Sequence, residues 1–281
     1  MKSHLSRVIA LVLCVLLVVG FASCAGSDRS LGSGDGGVQT MDKMNEIKAR
    51  GKIIIGVALG GIPMGFYNEE GEPDGYDTDW AKKMAEILDV DLEIIEVDGE
   101  TRIAAILSGQ IDCCFANMTG NLTRAQSVAM SIPYLRVGIK MLTTTGSGLE
   151  TIDDLDDPNL VVAVGRGTTG EALVLEHNLS CQLTYVNAFT EQVLMLEQGK
   201  CDAAFEDSTL CDYAAKNSNG VLYAPPMIYS SDPICVGCPI GDMYFLYWVN
   251  HFISWQITQG WQQETYRKWW GEEPAPLETI W

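Results

Sequence analysis

The chain has 281 residues, 18 Lys+Arg against 37 Asp+Glu, a formal net charge of −19 and 47% apolar residues. That composition is globular, which excludes wholesale disorder. So acidic a chain lacks the basic surface that a nucleic acid or a polybasic membrane patch requires, and three histidines are too few for a His-based metal site.

Lys2 and Arg7 lead into an unbroken apolar run from Val8 to Val19, which is too short to span a bilayer comfortably. Gly20-Phe21-Ala22-Ser23-Cys24 follows, so residues 1–23 read as a secretory signal to be left out of the fold. Cys24 after Ala22-Ser23 resembles a bacterial lipoprotein box, which implies that cleavage leaves Cys24 as a lipid-bearing N-terminus. Residues 24–40 are rich in Gly and Ser and read as a flexible tether, with an r.m.s. reach of about 20 Å. The expected location is the outer face of a bacterial cytoplasmic membrane or the periplasm.

Lys52 to Val57 reads as a buried strand, Asp79 to Leu88 as a helix with Trp80, Met84, Ile87 and Leu88 on one face, and Leu92 to Val97 as a second strand. Thr101 to Ser108 is a predicted helix closed by Gly109, and Ile111 to Ala116 a third strand. The same grammar restarts with a strand over Leu160 to Val164, a helix beginning near Glu171, a helix over Gln192 to Gln198 and a strand over Cys201 to Phe205. Strands alternating with helices predict largely parallel sheets in an α/β fold. Met243 to Gln259 and Trp261 to Trp270 read as helices whose tryptophans are core. Cys113 and Cys114 fall on opposite faces of one strand, and Cys235-x-x-Cys238, with no second pair nearby, reads as core rather than as a metal or redox site.

The sequence carries an internal repeat. Gly109, Asp112, Phe115 and Asn117 align with Gly199, Asp202, Phe205 and Asp207 at a constant offset, each copy running helix, glycine, aspartate, strand and a polar residue at the strand end. Two copies in register predict two similar α/β lobes. Ligands collect at the C-terminal ends of strands in such sheets, so two facing lobes would enclose one between them.

Three elements point to a zwitterionic ligand. Arg124, in the loop after Asn117 together with Thr119, is suited to grip a carboxylate with two parallel hydrogen bonds. Thr168 and Thr169 open a helix whose N-terminal N–H groups favour an anion. The surrounding glycines match a dinucleotide fingerprint only literally, since no acidic residue closes the unit, and there is no Walker lysine, so no cofactor is expected. Asp207 is an acceptor-only group suited to an ammonium.

The chain resembles the family 3 bacterial extracellular solute-binding proteins, the amino-acid receptors of ABC importers. The resemblance runs through Pro63-Met64-Gly65-Phe66, Gly75-Tyr76-Asp77-x-Asp79, Leu107-x-Gly109-x-Ile111-Asp112, Thr119-x-x-x-Thr123-Arg124, Ile132-Pro133-Tyr134, Gly167-Thr168-Thr169, Asp207 and Tyr266-x-x-Trp269-Trp270-Gly271. It implies a two-lobed, type II periplasmic-binding-protein fold. Lobe 1 would be residues 41–134 plus 231–281, lobe 2 residues 139–229, and the hinge strands 135–138 and 230. It implies that Arg124 binds the α-carboxylate with Thr119 and the backbone of Thr169. The α-ammonium would fall to Asp207, the carbonyl of Asn117 and the hydroxyl of Thr119.

Where relatives often place aromatic rings this chain has Gly60-Gly61 and Asp98-Gly99, so a stacking wall is expected to be missing. Phe66 and Tyr76 are the nearest replacements, and Glu206 is a further candidate facing the ligand. The ligand is expected to be uncharged beyond its α-groups, and bulky or apolar. The expected function is a monomeric, lipid-tethered receptor that closes on an amino acid and hands it to a permease. An enzyme resembling the cyclohexadienyl and arogenate dehydratases on the same scaffold is the alternative, with Glu206 as its evident acid. A sensory ectodomain is disfavoured by a chain ending at Trp281 with no signalling segment.

Overall fold

The computed structural model describes residues 42–277; the expected secretory signal, the expected lipid-bearing Cys24 and the expected tether lie outside the described residues. The first helix, α1 (Lys43–Arg50), starts at Asp42, whose side chain accepts a hydrogen bond from the Asn45 amide, and stops at Gly51 in the left-handed region.

The first sheet has the order β4 (Asp91–Glu96), β1 (Lys52–Val57), β5 (Cys113–Phe115), β12 (Asp232–Cys238), β6 (Ala129–Val137). The second runs β11 (Leu222–Tyr223), β7 (Ile139–Thr144), β10 (Ala203–Asp207), β8 (Val161–Gly165), β9 (Gln182–Val186), and a short antiparallel ribbon pairs β2 (Phe66–Tyr67) with β3 (Pro73–Asp74). The expectation of largely parallel sheets is corrected. Three strands of each sheet are parallel, but β12 runs antiparallel to β5 and β6, and β7 antiparallel to β10 and β11. The reason lies at the crossing: the chain leaves the first sheet along β6, passes into β7 of the second across Gly138 alone, and returns along β12 beside β6, so the outgoing and returning strands run in opposite directions. Gly138 is held there by close approach, since a Cβ would lie 2.3 Å from the Ser230 carbonyl on the returning segment.

The sequence repeat is a backbone clamp. In the first copy Asp112 donates its N–H to the Ile54 carbonyl (2.7 Å) and accepts the Ile54 N–H on its carboxylate (2.8 Å). In the second, Asp202 makes the same pair with Val161, at 2.8 and 2.7 Å. Each aspartate thus pins the start of a central strand to its parallel neighbour, and the residue five positions on emerges at the same strand end. Asn117 and Asp207 therefore arrive at corresponding edges.

The predicted helices appear as α2 (Tyr76–Leu88), α3 (Arg102–Leu107), α4 (Thr169–His177), α5 (Phe189–Glu197), α7 (Met243–Thr258) and α8 (Trp261–Trp270); α1 and α6 (Ser208–Asn217) were not predicted. The tryptophans of the tail are mostly core: Trp270 stacks on Tyr266 with centroids 4.4 Å apart, and Trp261 meets Trp80 edge-on at 4.9 Å. Trp255, 55% exposed, is the exception among them. The cysteines from Cys113 to Cys238 are unpaired, and all but Cys181 are buried.

Candidate functional site

A cavity of about 410 Å³ lies where the C-terminal edges of the two sheets meet, within the range of small-molecule sites. Asn117, Thr119, Arg124, Thr168, Thr169, Glu206 and Asp207 all line it. Phe66 does not: its ring packs edge-on against Trp269 at 5.6 Å, and Tyr76 is fully buried among Trp80, Tyr134, Tyr266 and Trp270. The aromatic ring at the cavity is Phe189, the first residue of α5.

Asn117 leaves β5 with φ +47, a left-handed conformation that asparagine tolerates better than most residues. Two contacts fix it. Its N–H donates to Asp77 (2.7 Å), and its side-chain amide donates to Asp207 Oδ2 (2.7 Å). The repeat partners thus bond each other across the cleft. Asp207 Oδ1 and Asn117 Oδ1 are buried and have no partner. The Asn117 carbonyl, expected to meet the ammonium, instead faces the Arg102 guanidinium, which donates to Ala116 O (2.7 Å) and more distantly to Asn117 O (3.4 Å).

Arg124 spans the cleft from the other side. It donates through Nη1 to the Thr119 carbonyl (2.9 Å) and through Nη2 to the Gly167 carbonyl (3.0 Å). Burial, and then the nearby Arg102 charge, bring its pKa down to about 10, so it is still cationic at neutral pH. Thr168 caps α4: its hydroxyl donates to the Gly165 carbonyl (2.8 Å) and accepts from the Glu171 N–H (3.1 Å). The Thr169 N–H, at the first helical position, has no intrahelical partner.

The carboxylates are perturbed by burial. Asp207 is pushed well up, first by desolvation and then by the charge of Glu206, and half-buried Glu206 is raised mainly by desolvation. Asp77, fully buried behind Asn117, is raised to about 7 by burial, against the opposing hydrogen bonds from the Tyr134 hydroxyl (2.6 Å) and the Asn117 N–H. Because the folded form holds this proton well above the unfolded value of 3.8, the folded state binds more protons than the unfolded between about 4 and 7. Stability conferred at low pH is lost as pH rises through that window, so the melting temperature should fall by several degrees. Asp77→Asn, which can still accept from Asn117 and donate to the Tyr134 oxygen, should reduce the slope; an unchanged Tm profile in the variant would show that Asp77 does not set it.

Arg102 is one of the cavity residues that the sequence reading missed. It is 5% exposed, and its Nε is buried without a partner. A charged residue opening the apolar run Ile103-Ala104-Ala105-Ile106-Leu107 beside the Asp98-Gly99 loop was the available signal.

The glycines read as a lost aromatic wall have a different reason. A Cβ on Gly60 would lie 2.5 Å from Ala188 Cβ, one on Gly99 2.4 Å from the Arg166 carbonyl, and one on Gly167 2.5 Å from the Gly99 carbonyl. Thr190 also donates to the Gly60 carbonyl at 2.9 Å. These are the places where loops of the first sheet touch loops of the second, and side chains there would hold the rims apart. Gly99→Ala, meeting backbone rather than a movable side chain, should therefore weaken ligand binding at least ~10-fold while leaving the Tm of the unliganded protein nearly unchanged. Equal affinity by calorimetry would show that these rims need not meet.

The sequence model of the bacterial extracellular solute-binding proteins, family 3, matches residues 53–272. The chain belongs to this family. It is 27% identical over 276 residues to the ABC transporter glutamine-binding protein GlnH of Bacillus subtilis, covering 96% of this chain and 100% of that one. Among solved structures, a mutant of ArgBP from T. maritima superposes with a TM-score of 0.76 at 29% identity, covering 82% of this chain and 100% of that chain. The ancestral amino acid-binding protein AncCDT-1, a precursor of cyclohexadienyl dehydratase, gives a TM-score of 0.76 at 27% identity over 81% of this chain and 99% of its own. The fold is the two-lobed α/β fold of type II periplasmic binding proteins.

Proposed function

We propose that this family member is the receptor of an ABC importer, and that it closes on an amino acid or a similar small zwitterion. One observation carries the reading. Two buried acceptor oxygens, Asp207 Oδ1 and Asn117 Oδ1, lack partners in a cavity that two buried arginines also line. Leaving such atoms unpaired costs about 1–3 kcal/mol each, and a ligand ammonium supplies the missing donors. Arg124, with three of its five guanidinium N–H groups not engaged by Thr119 and Gly167, and the N-terminus of α4 meet the carboxylate. The lobes would be residues 41–134 with 231–281, and residues 139–229, hinged at 135–138 and 230. The chain would be held at the membrane by lipid on Cys24, with a permease as the onward partner.

The ligand's side chain meets Ala58, Met64, Phe189 and Leu210, which favours an uncharged, bulky group, while Glu206, Glu96 and Asp98 would favour a cationic one. A thermal-shift screen of arginine, lysine, glutamate, glutamine, methionine and the aromatic amino acids tests both points. A ligand at 100 Kd should stabilise by roughly 2.7 kcal/mol. No shift with any of them would overturn the receptor reading; the largest shift from arginine or lysine, lost in Glu206→Gln, would assign Glu206 to specificity. The enzyme alternative rests on the raised Glu206 carboxyl in the same cavity, a group able to protonate a leaving hydroxyl. Turnover of a cyclohexadienyl acid, abolished by Glu206→Gln, would favour it.

A further inference from the structure

Helix α7 contains no Asp, Glu, Lys or Arg in its 16 residues, in a chain whose net charge is −19. One face is core, formed by Phe245, Val249, Phe252, Ile253 and Gln256. The opposite face is not covered: Tyr244 is 61% exposed, Tyr247 62% and Trp255 55%, with Met243 and Ile240 beside them at 55% and 59%. At 100° per residue Tyr244, Tyr247, His251 and Trp255 fall on one stripe, about 17 Å long at 1.5 Å per residue. This aromatic surface belongs to neither the cavity nor the aromatic core.

Where the chain enters the described residues is the second observation. The N–H of Lys43 donates to the carboxylate of Asp242, the residue that caps α7. The 41 residues that precede Asp42, with the apolar run Val8–Val19 and Cys24, are therefore joined to the fold at the start of this stripe.

We propose that the exposed face of α7 rests on the lipid bilayer and orients the receptor there. The proposal rests on the lipid anchor at Cys24 put forward above. Seventeen residues between Cys24 and Asp42 would give a reach of roughly 20–25 Å, which confines the start of α7 to the neighbourhood of the lipid. The chemistry of the face fits the headgroup level. Tyr and Trp combine an apolar body with a polar tip and concentrate at membrane interfaces. An acidic surface is repelled by anionic lipid, so a face without charged residues is the one that can approach. Single contacts of this kind are weak and reversible, which suits a face that only orients a protein already tethered.

The test uses the full chain, expressed with its own leader, purified from membranes in detergent and reconstituted into phosphatidylcholine vesicles carrying bromines high on the acyl chains. The expected result is flotation with the vesicles and quenching of tryptophan fluorescence. Most of the quenched component should disappear in Trp255→Phe, and quenching should fall several-fold in Tyr244→Ser/Tyr247→Ser, with amino-acid binding unchanged in both. Flotation without a Trp255-dependent quenched component overturns the surface and leaves the anchor standing. A chain that does not float overturns both. A dimer in detergent that Tyr247→Glu dissociates would assign the face to a second copy and overturn the membrane role.

Discussion

Arg124→Ala should give a folded protein whose affinity for its amino acid is lower by about 2–5 kcal/mol, roughly one and a half to three and a half orders of magnitude. Two losses combine. The guanidinium is the strongest candidate partner for a carboxylate in the cavity, and without it that carboxylate would be desolvated and unpaired when the cleft closes. The same side chain ties Thr119, after β5, to Gly167, at the edge of β8, so it also draws the two rims together. Folding is expected to survive, because the two carbonyls that lose their donor lie at the cavity, where water can replace it. Arg124→Lys separates the two losses: it restores the positive charge but not the planar fork that reaches both carbonyls. It should recover less than half of the lost binding energy. Calorimetry on the wild type and both variants with the best ligand of the screen decides it, and unchanged affinity in Arg124→Ala would remove this residue from the site.

How far the sequence carried the fold depends on which constraint each segment obeys. Lys52–Val57 and Trp261–Trp270 have the predicted bounds: the apolar run of the strand opens directly after Gly51, and the helical face sits between Gly260 and Gly271. The Gly-x-x-Asp repeat was legible for a physical reason: its aspartate satisfies two backbone groups at once, so its spacing from the glycine and from the strand end cannot drift. The crossing strands β6, β7 and β12 were not legible. Their course is set by pairing across the molecule with residues about a hundred positions away, as Asp232 with Val137, and nothing local signals that.

The site divides along the same line. Arg124, Asn117, Asp207 and the Thr168 cap could be read because each follows a strand end or opens a helix, and local order places it. Phe66 was misplaced because its neighbour is Trp269, two hundred residues on. Arg102 and Asp77 were passed over because their roles appear only once burial is known: the one brings an unpaired donor into the cavity, and the other holds the Asn117 N–H from beneath. The glycines are the instructive case. A sequence registers a missing ring, but only the fold shows the backbone that occupies its place, with Ala188 against Gly60 and Arg166 against Gly99.

Asp207→Asn should separate amino acids from their deaminated analogues. In the wild type Oδ2 of Asp207 accepts from the Asn117 amide, and Oδ1 is the oxygen without a partner. In the variant the amide oxygen must stay on the Asn117 side, since the donor there has to be met. That turns the new NH₂ group toward the ligand. A donor then faces the ammonium, and a charge-assisted hydrogen bond is replaced by a repulsive contact, which should cost about 2–5 kcal/mol. An α-hydroxy acid of the same side chain can accept from that NH₂, so its affinity should change by no more than about 1 kcal/mol. A proton count gives an independent reading. Burial and Glu206 hold the Asp207 carboxyl well up in the empty cleft, whereas a bound ammonium favours the carboxylate. Binding to the wild type should therefore release a proton, seen as a heat that depends on the buffer's ionisation enthalpy. Affinity should accordingly rise as pH rises above the ordinary carboxylate range, until the empty site too has lost its proton. The variant should show neither effect. Equal weakening of amino and hydroxy acids, with proton release unchanged, would mean that Asp207 does not face an ammonium.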